Sequence, residues 1–131
     1  MKKLLAFAMS AVLFAGAFTG CANGGGFDTA SDITVITREE GSGTRGAFIE
    51  LFGVEEKDAD GNKVDKTIST ADTQTSTGVV LTSVEQNVNA IGYISMGSLK
   101  DTVKALKING AEPSVENIKS GKYEASRPFN I

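Results

Sequence analysis

The hydrophobic pattern is clearest between residues 33 and 52, where it predicts a strand, a tight loop and a helix. Residues 33–36 form a short β-branched run, which is typical of a strand. Apolar residues then recur at helical spacing, and Phe48 and Leu51 are expected to face the core of the domain. The loop of residues 38–44 is therefore expected at the carboxyl end of a strand.

Beyond this unit, the chain alternates between helix-like and strand-like segments. A charged stretch with a turn signal at residues 60–62 predicts a solvated hairpin or loop. A capped helix is predicted to follow a hydroxyl-rich stretch (69–77) and to end near residue 88. Strands are predicted at 90–95, 103–108 and 127–131. A short helix capped by Ser114 is predicted to end near residue 120. Strands separated by helices predict an α/β fold with a mainly parallel sheet, in which ligands bind at the carboxyl ends of the strands.

The loop of residues 38–44 combines features that suit an anion. The start of a helix offers backbone N–H groups without partners inside the helix, together with the positive end of the helix dipole. Gly41 and Gly43 allow the backbone to approach a ligand closely. Ser42 and Thr44 add hydroxyl donors, and Arg38 offers a planar pair of N–H donors. The alternative is that Ser42 only caps the helix and the glycines only form a turn.

The charge of the chain determines how an anion could be held. The formal net charge is −3 over 131 residues, a length that suits one domain, and the acidic balance argues against nucleic acid as a partner. Without residues 1–20 the chain keeps 11 basic and 16 acidic side chains, a charge of −5. Such a protein does not attract anions by its net field, so any affinity must come from local, preorganised donors.

The residue inventory does not support catalysis, and we expect no catalytic residue, no cofactor and no metal. The chain has no histidine and one cysteine, so a Ser-His pair cannot form and a classical zinc site is implausible. Ser42 lacks the flanking glycines of a nucleophile elbow, since Glu40 and Thr44 stand in those positions. The string GSGTR also lacks the Gly-Lys-Ser/Thr ending of a P-loop.

The first 32 residues have the pattern of a leader and a tether. Residues 1–20 begin with a basic segment, continue through an apolar run and end in small residues, as in a secretory signal peptide. The string FTGC, ending at Cys21, resembles a lipoprotein signal-peptidase box with phenylalanine where an aliphatic residue is more usual. We expect Cys21 to carry a lipid anchor at the extracytoplasmic face of the cell membrane, with residues 21–32 as a flexible tether. The alternative is a buried or free cysteine in a cleaved leader.

Three strings downstream resemble one protein family. They are Arg38–Arg45 (REEGSGTR) followed by Phe48, Asn89–Leu99 (NAIGYISMGSL), and the tail from Val103 through Ser126–Phe129 (SRPF). In this order they look like the second domain of the phosphate-binding proteins that serve bacterial ABC importers. The resemblance covers residues 33–131. It implies a single lobe of a type II periplasmic-binding-protein fold, with the first lobe absent from this chain.

Residue by residue, the resemblance implies a site for inorganic phosphate. Arg38 would be a charge-assisted donor, Ser42 and Thr44 would be hydroxyl donors, and Gly43 would donate through its backbone N–H. Glu40 matches an acidic position of that loop and would orient Arg38, although a purely solvated Glu40 is the alternative. The implied protein partner is the permease of an ABC importer.

Two other interpretations of the chain stay open. It could be a truncated remnant that binds nothing useful, or an adaptor that needs a separate partner lobe. A lobe by itself leaves the anion in contact with water, so we expect an affinity no tighter than roughly millimolar, about −4 kcal/mol. A segment of about 100 residues is expected to fold alone, but with marginal stability.

Overall fold

A computed structural model describes residues 29–127 of the protein. The predicted signal peptide, Cys21 and most of the tether lie outside the described residues, as do residues 128–131 of the predicted final strand. The helices and strands are β1 (Thr34–Arg38), α1 (Gly43–Leu51), β2 (Glu55–Lys57), β3 (Lys63–Asp65), β4 (Asp72–Gln74), α2 (Thr77–Gln86), β5 (Ala90–Ile91), a 3-10 turn (Met96–Ser98) and α3 (Val115–Lys119). Within this part of the chain, every helix is too short or too polar to span a membrane.

The first strand, β1, is the centre of a three-stranded parallel sheet. β4 lies on one side of it, with Ile36 opposite Asp72, and β5 lies on the other, with Thr34 opposite Ala90. Both α1 and α2 contact β1, while β2 and β3 form a separate antiparallel hairpin. The predicted α/β fold with a mainly parallel sheet is thus confirmed, and the charged stretch forms the predicted hairpin.

The core lies where the central strand meets the two longer helices. Its buried apolar side chains in the described residues are Ile36, Ile49, Val80 and Leu81. Leu51 is 40% exposed, so its predicted place in the core is wrong. The reason is that α1 buries the side of the helix that carries Ile49, and Leu51 lies off that side. Phe48 is half-buried and contributes to a smaller aromatic cluster at the edge of the core.

The ends of the helices follow local sequence signals. Ser114 caps α3 as predicted, Ser42 caps α1, which was the alternative interpretation of its loop, and Ser76 caps α2. In each case the side-chain oxygen accepts a hydrogen bond from the backbone N–H three residues later. Gly53 follows α1 with a φ of +63°, the left-handed conformation that commonly ends a helix.

The strand predictions after α2 are less accurate. Residues 103–108 are not a strand, because no described strand lies beside them, and only Ile108 forms a bridge, to Ala111. The predicted strand at 90–95 is confined to the two residues of β5. Arg127, the one described residue of the predicted final strand, is not in a strand.

Candidate anion site

Three parts of the chain meet next to the carboxyl end of β1. The loop after β1 leads into α1, Thr77 begins α2 just after β4, and Ser95 precedes the 3-10 turn after β5. The Arg38 Nη1 donates to Thr77 Oγ1 at 3.2 Å, and the hydroxyls of Thr44 and Ser95 lie 3.3 Å apart. The carboxyl edge of the sheet therefore carries a cluster of hydroxyl groups around one arginine.

Arg38 is the last residue of β1, and its guanidinium is held from two sides. Its Nε and Nη2 donate to the two carboxylate oxygens of Glu39 at 2.7 and 2.8 Å, a bidentate pair. On the other side its Nη1 reaches Thr77. The side chain of Arg38 is only 12% exposed. The guanidinium therefore has a defined direction before any ligand arrives.

The expected pairing of Arg38 with Glu40 is not the one that the structure shows. Glu39 occupies that position, and Glu40 is exposed at the outside of the loop, which agrees with the alternative of a solvated Glu40. The physical reason is that the backbone turns sharply at Gly41, whose φ is +85°, and Ser42 N–H donates back to Glu39 C=O at 3.2 Å. Hydrogen bonding to Glu39 raises the pKa of Arg38, and the same bond lowers the pKa of the Glu39 carboxyl.

The GSGT part of the loop forms the start of α1. Ser42 is the N-cap, and its side-chain oxygen accepts a bond from Arg45 N–H at 3.4 Å, so the simple capping role is realised. Gly43 is exposed, and a Cβ added there would meet open space. Thr44 is half-buried and shares its hydroxyl with Ser95. These three residues therefore line one open side of the helix start.

Arg45 belongs to the scaffold of the site rather than to its open side. Its Nε and Nη2 donate to Asp65 Oδ2 at 3.0 and 2.8 Å, and its Nη1 donates to Arg38 C=O at 2.6 Å. The other Asp65 oxygen accepts bonds from the hydroxyl and N–H of Thr67. The Thr67 hydroxyl bond is the largest cause that lowers the pKa of Asp65, with Arg45 adding to it. The β2–β3 hairpin is thus tied to the end of β1.

Four residues at the site were not identified from the sequence: Glu39, Thr77, Tyr93 and Ser95. Thr77 is one of several hydroxyl residues in the 69–77 stretch, and in the structure its bond to Arg38 distinguishes it. Tyr93 and Ser95 lie in the second resembling string and within the strand predicted at 90–95, so that string was the only available signal for them. The contacts of Tyr93 and Ser95 span 51 to 56 residues of sequence and leave no local pattern.

The arrangement consists mainly of hydrogen-bond donors, which suit an anion. It combines one guanidinium, several hydroxyls and the free N–H groups of a helix start, all of which donate hydrogen bonds to oxyanions. Within residues 29–127, no three acidic or cysteine side chains are grouped in a way that could hold a metal ion.

Known proteins have sequences similar to this chain over most of its length. No protein-family model matches it. The phosphate-binding protein PstS 2 of Streptococcus agalactiae is 50% identical over 130 residues, which are 99% of this chain and 44% of that protein. The chain is a relative of the PstS phosphate-binding proteins. It spans less than half of the length of this PstS relative.

Solved structures of the same kind share the fold. The phosphate-binding protein of a phosphate ABC transporter from Streptococcus pneumoniae matches with a TM-score of 0.69 and 52% identity, over 72% of this chain and 36% of that one. An ABC-type phosphate transport receptor from Vibrio cholerae matches with a TM-score of 0.69 and 37% identity, over 76% of this chain and 38% of that one. The resemblance drawn from the three strings is therefore confirmed. These PstS relatives are described as binding proteins and receptors, not as enzymes.

Proposed function

We propose that residues 33–131 act as one lobe of an ABC-importer receptor and bind inorganic phosphate through the loop after β1. Arg38 carries this proposal. Its side chain is almost buried at the carboxyl end of the central strand, and its guanidinium donates to Thr77 at the start of α2. A guanidinium has five N–H donors, and within the described residues three of them are engaged by Glu39 and Thr77. Two donors remain for an oxyanion.

The other proposed donors are the residues at the start of α1. Ser42 uses its oxygen as an acceptor in the cap, so its own proton is left to donate to a ligand. Gly43 has open space beside it, which lets an anion approach its backbone N–H closely. The Thr44 hydroxyl can rotate from Ser95 toward the anion. Together with Arg38, these groups would surround one face of a tetrahedral oxyanion.

The expected affinity follows from how open the site is. Gly41 and Gly43 are exposed, so a bound anion would keep water on one side. Hydrogen bonds and charges are weaker in contact with water than in a closed cleft. We therefore expect phosphate to bind this chain with a dissociation constant no lower than roughly millimolar.

A titration with inorganic phosphate tests the proposal. The amide signals of residues 41–45 in the nitrogen-15 labelled chain should shift first and together, because these residues form the loop and the helix start that would contact the anion. Sodium chloride at equal ionic strength serves as the control for general salt effects. An absence of shifts at high phosphate, or shifts scattered away from the loop, would contradict phosphate binding at this site. Binding at micromolar concentration would show that a second wall, from a partner or another copy, closes over the anion.

We also propose that the chain is attached to the extracytoplasmic face of the cell membrane by a lipid at Cys21. The order of a basic segment, an apolar run and the single cysteine supports this. Metabolic labelling of bacterial cells with a fatty acid should mark the wild-type chain and miss Cys21→Ser, which differs by one atom. Equal labelling of both proteins would contradict the anchor.

A further inference from the structure

Tyr93 connects the two elements that form the proposed anion site, although it lies about fifty residues after them in sequence. Its hydroxyl is 2.7 Å from Thr37 Oγ1 and accepts a bond from Arg38 N–H at 3.1 Å. Its ring stacks on the ring of Phe48 in α1, with centroids 4.0 Å apart and an angle of 5° between the planes. One side chain thus contacts both the end of β1 and the helix that follows the loop.

The bond to Arg38 replaces a missing strand partner. Glu39 N–H donates to Gln74 C=O on the β4 side of β1, so the preceding N–H, that of Arg38, faces the β5 side. β5 ends at Ile91 and offers no strand pairing that far along. The Tyr93 hydroxyl supplies the acceptor there, and its own proton is then free to be donated to Thr37.

Gly92 explains how the tyrosine reaches this place. A Cβ added at Gly92 would lie 3.1 Å from Val80 Cγ1 and 3.5 Å from Ile36 Cβ, so the backbone passes directly over the core at this residue. This close approach brings the next residue over the end of β1. Ile36 and Val80 are also the two most deeply buried side chains of the core. Tyr93 therefore follows directly after the backbone that passes over the most deeply buried part of the core.

We propose that Tyr93 is a positioning residue for the anion site. Its hydroxyl holds the Thr37 side chain and the Arg38 backbone, and its ring holds α1 at Phe48. The guanidinium of Arg38 and the donors of residues 42–44 then keep one relative geometry, which preorganises them for an oxyanion. This inference rests on the proposed phosphate binding, because positioning matters only if the loop receives a ligand.

The test compares Tyr93→Phe with Tyr123→Phe in the complete 131-residue chain. Tyr93→Phe keeps the ring stack and removes only the hydroxyl, and Tyr123 is the other tyrosine of the chain, whose backbone bonds to Asn117 and Ser126. We measure hydrogen exchange of the Arg38 amide without ligand and the affinity for inorganic phosphate. Tyr93→Phe should speed exchange of the Arg38 amide and weaken phosphate binding by roughly fivefold, since the hydroxyl loses its bonds to Arg38 N–H and Thr37 and the anion donors are held less firmly. Tyr123→Phe should leave both values unchanged.

The outcomes separate the inference from the proposed function. Unchanged Arg38 exchange and unchanged phosphate affinity in Tyr93→Phe would overturn the positioning role, even if the melting temperature fell. If the wild-type chain shows no response to phosphate, the proposed function fails. The Arg38 amide of the ligand-free chain then still decides whether Tyr93 holds the end of the strand. Should Tyr93→Phe not fold, Thr37→Val removes the other partner of the hydroxyl, and the same two measurements apply with the same expected directions.

Discussion

Replacing Arg38 by alanine is expected to abolish the phosphate-dependent shifts of residues 41–45. Hydrogen bonds from a charged group contribute about 1.5–3 kcal/mol each, which is a large part of the roughly −4 kcal/mol of a millimolar complex. The substitution also leaves the Glu39 carboxylate without its cationic partner, next to the proposed anion. The remaining hydroxyl and N–H donors are too few to offset this repulsion. The measurement is the same phosphate titration, followed by amide signals.

Arg127→Ala is the matched control for the loss of charge. Arg127 donates to the backbone carbonyl of Gly43 at 3.2 Å and lies 3.7 Å from Glu50. The substitution therefore removes one positive charge close to the same loop. Its side chain is half exposed, and we expect its loss to change phosphate affinity by no more than about twofold. Retained shifts in Arg38→Ala, or an equal loss in both variants, would show that Arg38 is not the specific ligand.

The largest effect on stability is expected for Ile36→Ala in the central strand. Ile36 is 2% exposed and lies against Val80 and Gly92, so its truncation leaves a cavity where the sheet meets α2. Such substitutions lower the free energy of unfolding by about 2–5 kcal/mol. A small domain has about 5–15 kcal/mol in total, so the variant should be largely unfolded in mild denaturant. Urea unfolding followed by circular dichroism gives this value.

Leu51→Ala provides the comparison, because it removes a similar volume from a helix position that is 40% exposed. We expect it to lower the free energy of unfolding by about 1 kcal/mol or less. Equal losses for the two substitutions would mean that the core does not lie between β1 and α2. A chain without any cooperative unfolding transition would contradict the expectation that this lobe folds by itself.

The elements that could be predicted from sequence are those with signals inside a short window. β1 and α1 follow from a β-branched run and a helical repeat, and the caps at Ser42 and Ser114 need only a serine before a helix. The α/β class follows from their alternation. Arg38, Ser42, Gly43 and Thr44 could be grouped because they lie in one loop at a strand end.

The elements that could not be predicted depend on distant partners. β4 consists of Asp72, Thr73 and Gln74, a polar triplet that becomes a strand because its backbone pairs with β1. Residues 103–108 alternate like a strand but have no neighbouring strand in the described structure. The hydrophobic periodicity of a segment indicates which side chains can be buried, but it does not indicate whether a neighbouring strand is present to pair with it.

The same limit applies within the site. Whether Glu39 or Glu40 pairs with Arg38 depends on where the backbone turns. The sequence alone allows either pair, because the two glutamates are one and two residues after Arg38. The face of α1 that becomes buried depends on its approach to β1, which selects Ile49 over Leu51. The partner of Arg38 and the buried face of α1 are therefore both set by how the elements pack together, although each element can be recognised in the sequence by itself.

The central place of β1 has a consequence for the order of folding. β1 comes first along the chain, yet Ile36 pairs with Asp72 and Thr34 pairs with Ala90. The sheet therefore closes only after two long loops have lost their freedom, and such non-local contacts slow folding. During synthesis the loop of residues 38–44 emerges well before either partner strand. The loop that would hold the anion is thus synthesised early, but its surroundings are completed only later, when the residues near Tyr93 pack against it.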